Sequence, residues 1–204
     1  MNLKPLRERW DPEQIASLEA QLLAASRTPK GIEFDSPFGV TDAGFLDLRG
    51  VPLSESVRYT RLRRADFSGA LFREGASLTE SELTQCVFDR ADIRNRFVSR
   101  RFTGCGFVGA KLQQSRLGTV FTGCDFTKAN LSGSVASGTR FERCDFTGAR
   151  LGSIMWTQRC VFDHCVFDDL VSLSGSVAGS VFIGTAPESM DRCITDHIQL
   201  VDIT

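Results

Sequence analysis

Histidine is nearly missing from this chain, which has only His164 and His197, and Tyr59 is its single tyrosine. Acid–base and nucleophilic sites draw heavily on such side chains, so little general chemistry is on offer. The local signatures G-x-S-x-G, H-E-x-x-H, G-x-x-x-x-G-K-[ST] and G-x-G-x-x-G are all absent. No apolar run is long enough to cross a membrane. The first residues, Met1 to Arg7, lack the apolar stretch and cleavage site of a secretory signal. Charge of one sign does not dominate either: 24 Lys and Arg meet 25 Asp and Glu, a net charge of −1. These absences argue against an enzyme and assign no catalytic, cofactor-binding or metal residue. They place the chain in the cytoplasm, where thiols stay reduced.

What the chain has is repetition. A Cys-x-Phe triplet returns at Cys86-Val87-Phe88, Cys105-Gly106-Phe107, Cys124-Asp125-Phe126, Cys144-Asp145-Phe146 and Cys165-Val166-Phe167, with one structural unit of about twenty residues between copies. The finer period is five. Large apolar residues fall at Phe67, Phe72, Leu78, Leu83, Phe88 and Ile93, and resume at Phe102, Phe107, Leu112, Leu117, Phe121, Phe126 and Leu131. A small residue such as Ala65, Ala70, Ser81, Ala91, Ala110, Ser115 or Ala129 sits two places before most of them. A helix repeats near 3.6 and a flat strand near 2, so neither explains this pattern. A chain that turns a corner every five residues does, and four sides close one coil.

Ala65-Asp66-Phe67-Ser68-Gly69, Ala129-Asn130-Leu131-Ser132-Gly133 and Cys144-Asp145-Phe146-Thr147-Gly148 match the A-[DN]-[LF]-[ST]-x unit. From about Leu46 to Gly184 the chain resembles the pentapeptide-repeat proteins. That resemblance implies an all-β solenoid, a right-handed quadrilateral parallel β-helix, of about seven coils. Leu48, Leu53, Val57 and Leu62 place the first coil. The spacing slips at Arg73-Glu74-Gly75, at Asn95 to Arg100, at Thr157 to Cys160 and near Ser172, which predicts bulges or short loops there. The organisation reads as an N-terminal helix and cap over residues 1–45, the β-helix over 46–185, and a C-terminal cap or tail over 186–204.

The N-terminal segment carries a helix-start signal at Trp10-Asp11-Pro12-Glu13-Gln14-Ile15, with Asp11 as cap and Gln14 completing a capping box. Ile15, Leu18, Leu22 and Leu23 share one face, and Thr28-Pro29-Lys30-Gly31 breaks the helix. Such a helix suits the exposed edge of the first coil, since open β edges need cover; dimerisation or partner binding is the other use for it. Five of the seven cysteines occupy a repeat position filled elsewhere by Ala, Ser or Thr, which reads as small buried packing and not as a metal site. Asp66, Asp92, Asp125 and Asp145 all hold the same outward repeat position and read as a solvated face.

Surface remains for partners. From Leu46 to Thr185 there are eighteen Lys and Arg against fourteen Asp and Glu, while residues 1–45 and 186–204 are acidic. The candidate partner surface is a basic edge of Arg61, Arg101 and Arg140, with Arg63, Arg64 and Arg143 just beyond and Arg96, Arg100 and Arg116 approaching from the next side. A candidate apolar interface, Met155, Val161, Val166 and Val181 with Val135, occupies outward positions that elsewhere are polar. Either the tail folds back over it through Ile194, Ile198 and Leu200, or a second subunit makes a homodimer there. The leading reading is a non-enzymatic module that binds a protein partner. The alternative, implied by the resemblance, is a DNA-mimic binder of the type II topoisomerases, DNA gyrase and topoisomerase IV, giving resistance to topoisomerase poisons. A mildly basic solenoid is a poor copy of a polyanion, and direct nucleic-acid binding is disfavoured because the aromatic residues sit at core positions.

Overall fold

The computed structural model describes residues 2–26, 34–56 and 58–202. Val57 and Thr28-Pro29-Lys30-Gly31 lie outside the described residues. The chain from Leu46 onward winds into a parallel β-solenoid of about eight turns with four sides.

The period of five has a simple backbone origin. At the corner after the first side the carbonyl of the large inward residue accepts the N–H three residues on, as in Ala91 to Phe88, Ala110 to Phe107, Ala129 to Phe126 and Ala149 to Phe146, at 2.9–3.0 Å. Two turn residues intervene, and the second takes a positive φ, as at Arg90, Gly109, Lys128 and Gly148. The small inward residue leaves room for the corner, one outward residue follows, and the next large residue turns inward again. The outward carboxylate locks the turn: Asp66, Asp125 and Asp145 accept the N–H two residues on at 2.8 Å, and Asn130 does the same at 3.1 Å. This explains the Asp or Asn of each unit, whose carboxylates hold corners as well as facing solvent.

Residues one coil apart stack directly. On the first side the outward column runs Asp47, Asp66, Val87, Gly106, Asp125, Asp145, Val166. The second runs Pro52, Leu71, Asp92, Lys111, Asn130, Arg150, Ser172. The third side carries Phe97, Arg116, Val135, Met155, Ser176 and Ile194. The fourth carries Arg61, Glu82, Arg101, Val120, Arg140, Val161, Val181 and Gln199.

Inside, two phenylalanine columns run through the middle of the stack, with leucines at the same positions in the end coils. Phe67, Phe88, Phe107, Phe126, Phe146 and Phe167 form one, with centroids 4.9–5.4 Å apart. Phe102, Phe121, Phe141, Phe162 and Phe182 form the other. Cys86, Cys105, Cys124, Cys144 and Cys165 are buried beside the first column, each thiol donating weakly to an inward carbonyl of the previous coil, such as Phe102 for Cys124 at 3.5 Å. All seven cysteines are free, and burial pushes the Cys124 and Cys160 thiols up. They pack as the small residues they replace.

Among the described residues two helices precede the solenoid: α1 (Lys4–Glu8) and α2 (Pro12–Ser26). The capping box forms as its residues predict, with Gln14 N–H on Asp11 Oδ1 at 2.8 Å and Asp11 N–H on Gln14 Oε1 at 3.2 Å. α2 buries Leu18, Leu22 and Ala25 against the first coil, and Glu19 accepts the N–H of Ser54 at 2.6 Å and of Glu55 at 3.0 Å. The short α1 has no clear hydrophobic signature; Pro5 in its first turn is its only sequence mark.

The C-terminal tail corrects an expectation. Cys193–Ile194 pairs in parallel with Ser172–Ser176, and Gln199–Val201 pairs with Val181–Ile183. The segment continues the stack as a further coil and does not fold back over the outer faces. Its inward positions hold Cys193, Ile198 and Leu200 in place of the small-x-Phe pattern, which is why periodicity alone stops before it.

Candidate interaction surface

Arg61, Arg101 and Arg140 share one outward column on the fourth side, as the register predicts, with Glu82 and Val120 between them. Arg63 is two places along the same strand as Arg61, and Arg64 and Arg143 occupy the corner beyond, both at positive φ. That corner column otherwise holds Gln85, Gly104, Gly123, His164 and Gly184, all at positive φ. Glycine removes the Cβ conflict at Gly104 and Gly123, while the arginines keep the strained conformation.

The six arginines differ in what they have left to offer. Arg64 is spent on the fold: its guanidinium donates to the Ala43 carbonyl at 2.8 Å and lies 4.7 Å from the Phe45 ring centroid. Arg140 sits in a network, bonded to Glu142 and, at 2.5 Å, to Asp163, whose other oxygen meets His164 Nδ1 at 2.7 Å. Hydrogen bonding to Glu142 raises the Arg140 pKa further, so its charge is permanent. Arg61 pairs with Glu82 at 3.2 Å, and Arg100 reaches the same carboxylate. Arg63, Arg101 and Arg143 are exposed and have no ion pair among the described residues.

The apolar candidates do not form one patch. Val161 and Val181 continue the arginine column of the fourth side, Met155 and Val135 stand on the third, and Val166 stands on the first. An equivalent place in the five-residue unit recurs on every side of the square, so only residues a whole coil apart meet. Met155 is 57% exposed and Val166 39%, whereas Val135, Val161 and Val181 are half-buried.

A model described as pentapeptide repeats, in eight copies, matches residues 117–152. Pentapeptide repeats are thus matched in the middle coils, and the coils on either side continue the same stack. Among solved structures, a trypsin-treated single-site variant of QnrB1, a plasmid-mediated fluoroquinolone resistance protein, superposes with a TM-score of 0.50 at 16% identity, over 76% of this chain and 77% of that one. Full-length QnrB1 gives 0.35 at 14% identity, over 59% and 84% respectively. The pentapeptide-repeat fold is what the first of these shares with this chain. No curated protein matches the sequence at a significant level.

Among the described residues no group of three or more His, Cys, Asp or Glu is placed to hold a metal ion, and no helix is long and apolar enough to cross a membrane. Two exposed aromatics escaped the sequence reading: Tyr59, 62% exposed, and Phe97, 49% exposed with the Arg116 guanidinium 5.5 Å from its centroid. The slip of register around Asn95 was the signal for Phe97, and nothing in the spacing marked Tyr59.

Proposed function

We propose that this pentapeptide-repeat protein is a non-enzymatic interaction module of the cytoplasm, whose fourth side and adjoining corner bind an acidic surface of a protein partner. The observation that carries the reading is the column of Arg61, Arg101 and Arg140 flanked by Arg63 and Arg143, in which Arg63, Arg101 and Arg143 have no carboxylate partner among the described residues. Strands locked into coils hold these charges at fixed spacing, so the surface is pre-organised, and complementary charge speeds encounter. In this reading residues 1–45 cap the first coil, 46–185 carry the binding face, and 186–204 close the far end. Its test is affinity capture with the wild-type chain against Arg61→Glu/Arg101→Glu. A partner lost from the double variant and released by moderate salt supports the face; a partner held equally by both removes it.

A second reading is binding to a type II topoisomerase, favoured by the fold likeness to a fluoroquinolone resistance protein. The acidic face it calls for is broken here: Val87, Gly106 and Val166 interrupt the aspartate column of the first side, and Asp66, Asp125 and Asp145 hold their own turns. A gyrase supercoiling assay with a fluoroquinolone and purified protein decides it. Protection of supercoiling establishes this reading, and unchanged inhibition over a wide excess of protein dismisses it.

A further inference from the structure

We propose that a pocket at the start of the third side is an oxyanion site, one that takes a phosphate or carboxylate carried on a flat apolar body. The site is separate from the arginine column and does not depend on the partner reading. It has a volume of about 330 Å³ and is lined by Ser56, Arg58, Ser77, Thr79, Arg96 and Phe97, among others, with no Asp or Glu among the described residues of its wall.

The concavity arises where the repeat slips. Regular sides of the solenoid are flat, but the register shifts between Leu78 and Ser81 where that strand meets the next coil. The step from Phe72 to Leu78 gains a residue at Arg73-Glu74-Gly75, while the step from Val98 to Phe102 in the next coil is one residue short.

Its lining is suited to an anion. Arg96 is held by carbonyls only, Nε donating to Phe72 at 3.1 Å and Nη1 to Asn95 at 3.3 Å. Carbonyls orient a guanidinium without neutralising it, and three of its five N–H donors remain uncommitted among the described residues. Arg58 supplies a second charge, exposed and without an ion pair among the described residues. Paired guanidiniums are the usual partners of carboxylate and phosphate.

The hydroxyls are committed to one another and line the pocket without adding charge. Ser56 Oγ donates to the Gly75 carbonyl at 2.6 Å, which uses its proton. Ser77 Oγ lies 2.7 Å from Thr79 Oγ1 and 3.1 Å from Ser56 Oγ. Ser77 therefore gives its one proton to Ser56, Thr79 gives its own to Ser77, and the donors left for an anion are those of the two guanidiniums. Phe97 forms the apolar wall, with the Arg116 guanidinium 5.5 Å from its ring centroid. An anion on a ring or similar flat group satisfies both halves of this lining.

The same chemistry is carried by a free aromatic phosphate or by a phosphorylated aromatic side chain in a peptide, and the probes separate them. The full-length protein, labelled with ¹⁵N in low-chloride buffer, is titrated with inorganic phosphate, phenyl phosphate and a phosphotyrosyl tripeptide. Saturable amide shifts confined to Ser56, Arg58, Ser77, Thr79, Arg96 and Phe97 are expected, with phenyl phosphate about tenfold tighter than phosphate. A tripeptide that binds tighter still assigns a peptide ligand; one no better than phenyl phosphate assigns a small molecule. Arg58→Gln, which removes no side-chain hydrogen bond or ion pair among the described residues, is expected to weaken binding about tenfold with the rest of the spectrum unchanged. Phe97→Ala is expected to erase the advantage of phenyl phosphate over phosphate. Shifts that never saturate, that spread equally over Arg61, Arg101 and Arg143, or that survive Arg58→Gln overturn the proposal.

Discussion

Phe107 and Phe126 lie one coil apart with ring centroids separated by 4.9 Å and planes within 7° of parallel. That one relationship repeats down the solenoid and holds successive coils in register. Both rings are fully buried, and their neighbours belong to coils that cannot move independently. Phe126→Ala is therefore expected to cost about 3–5 kcal/mol in urea unfolding, because the cavity between two stacked rings cannot collapse. Phe126→Leu should cost clearly less.

The aspartates of the repeat act through the backbone. Asp125 Oδ1 accepts the Thr127 N–H at 2.8 Å, while Asn130 does the same for Ser132 on the next side. Asp125→Asn should be nearly neutral, since the amide oxygen accepts the same bond. Asp125→Ala should lose about 1 kcal/mol, read from the denaturation midpoint.

Much of this was legible in the sequence and some was not, for a physical reason. Period five and period twenty are both written in Phe, Cys and Ala, so the stacked Phe88–Phe107–Phe126–Phe146–Phe167 column and its cysteines followed directly. The outward residues obey the same five-residue rule on four different sides, so Met155, Val161 and Val166 looked alike while facing three directions. Arg64 looked like its neighbours too, yet serves Ala43 and Phe45, a contact set by a loop with no periodicity. The pocket at Arg96 lies where the rule breaks, and a broken rule marks a place without describing its shape.

Asp47 clamps the N-terminal segment to the first coil. It is buried and receives Arg9 at 2.6 and 3.0 Å and Arg49 at 2.7 and 3.0 Å. Burial alone would raise its pKa, but the hydrogen bonds from Arg49 and Arg9 prevail and hold the carboxyl well below the usual carboxylate range. A depressed folded-state pKa means that the stabilisation is complete above the unfolded value near ~4 and is lost as pH falls through the folded value. Wild-type stability should fall progressively as the pH drops below about 4, and Asp47→Asn should remove that part of the acid dependence while costing roughly 3 kcal/mol at neutral pH. An unchanged acid profile in the variant would count against the clamp.

The last coil covers the one before it. Phe182 and Val177 are buried, with Leu200 paired beside Phe182 and Ile194 hydrogen-bonded to Val177. Deleting residues 190–204 uncovers that end, and the truncated chain should melt at lower temperature and gain mass by self-association in light scattering. A truncated chain that stays monomeric and equally stable contradicts this role.

The most direct test of the partner surface does not require the partner to be identified first. Val120 stands between Arg101 and Arg140 on the fourth side, and Asp125 stands on the first side of the same coil. A photo-crosslinking amino acid placed at each position in living cells compares the two surfaces on one scaffold. Binding through the arginine column predicts a discrete protein adduct from position 120, lost in Arg61→Glu/Arg101→Glu, and none from position 125. An adduct from 125 with none from 120 would contradict it.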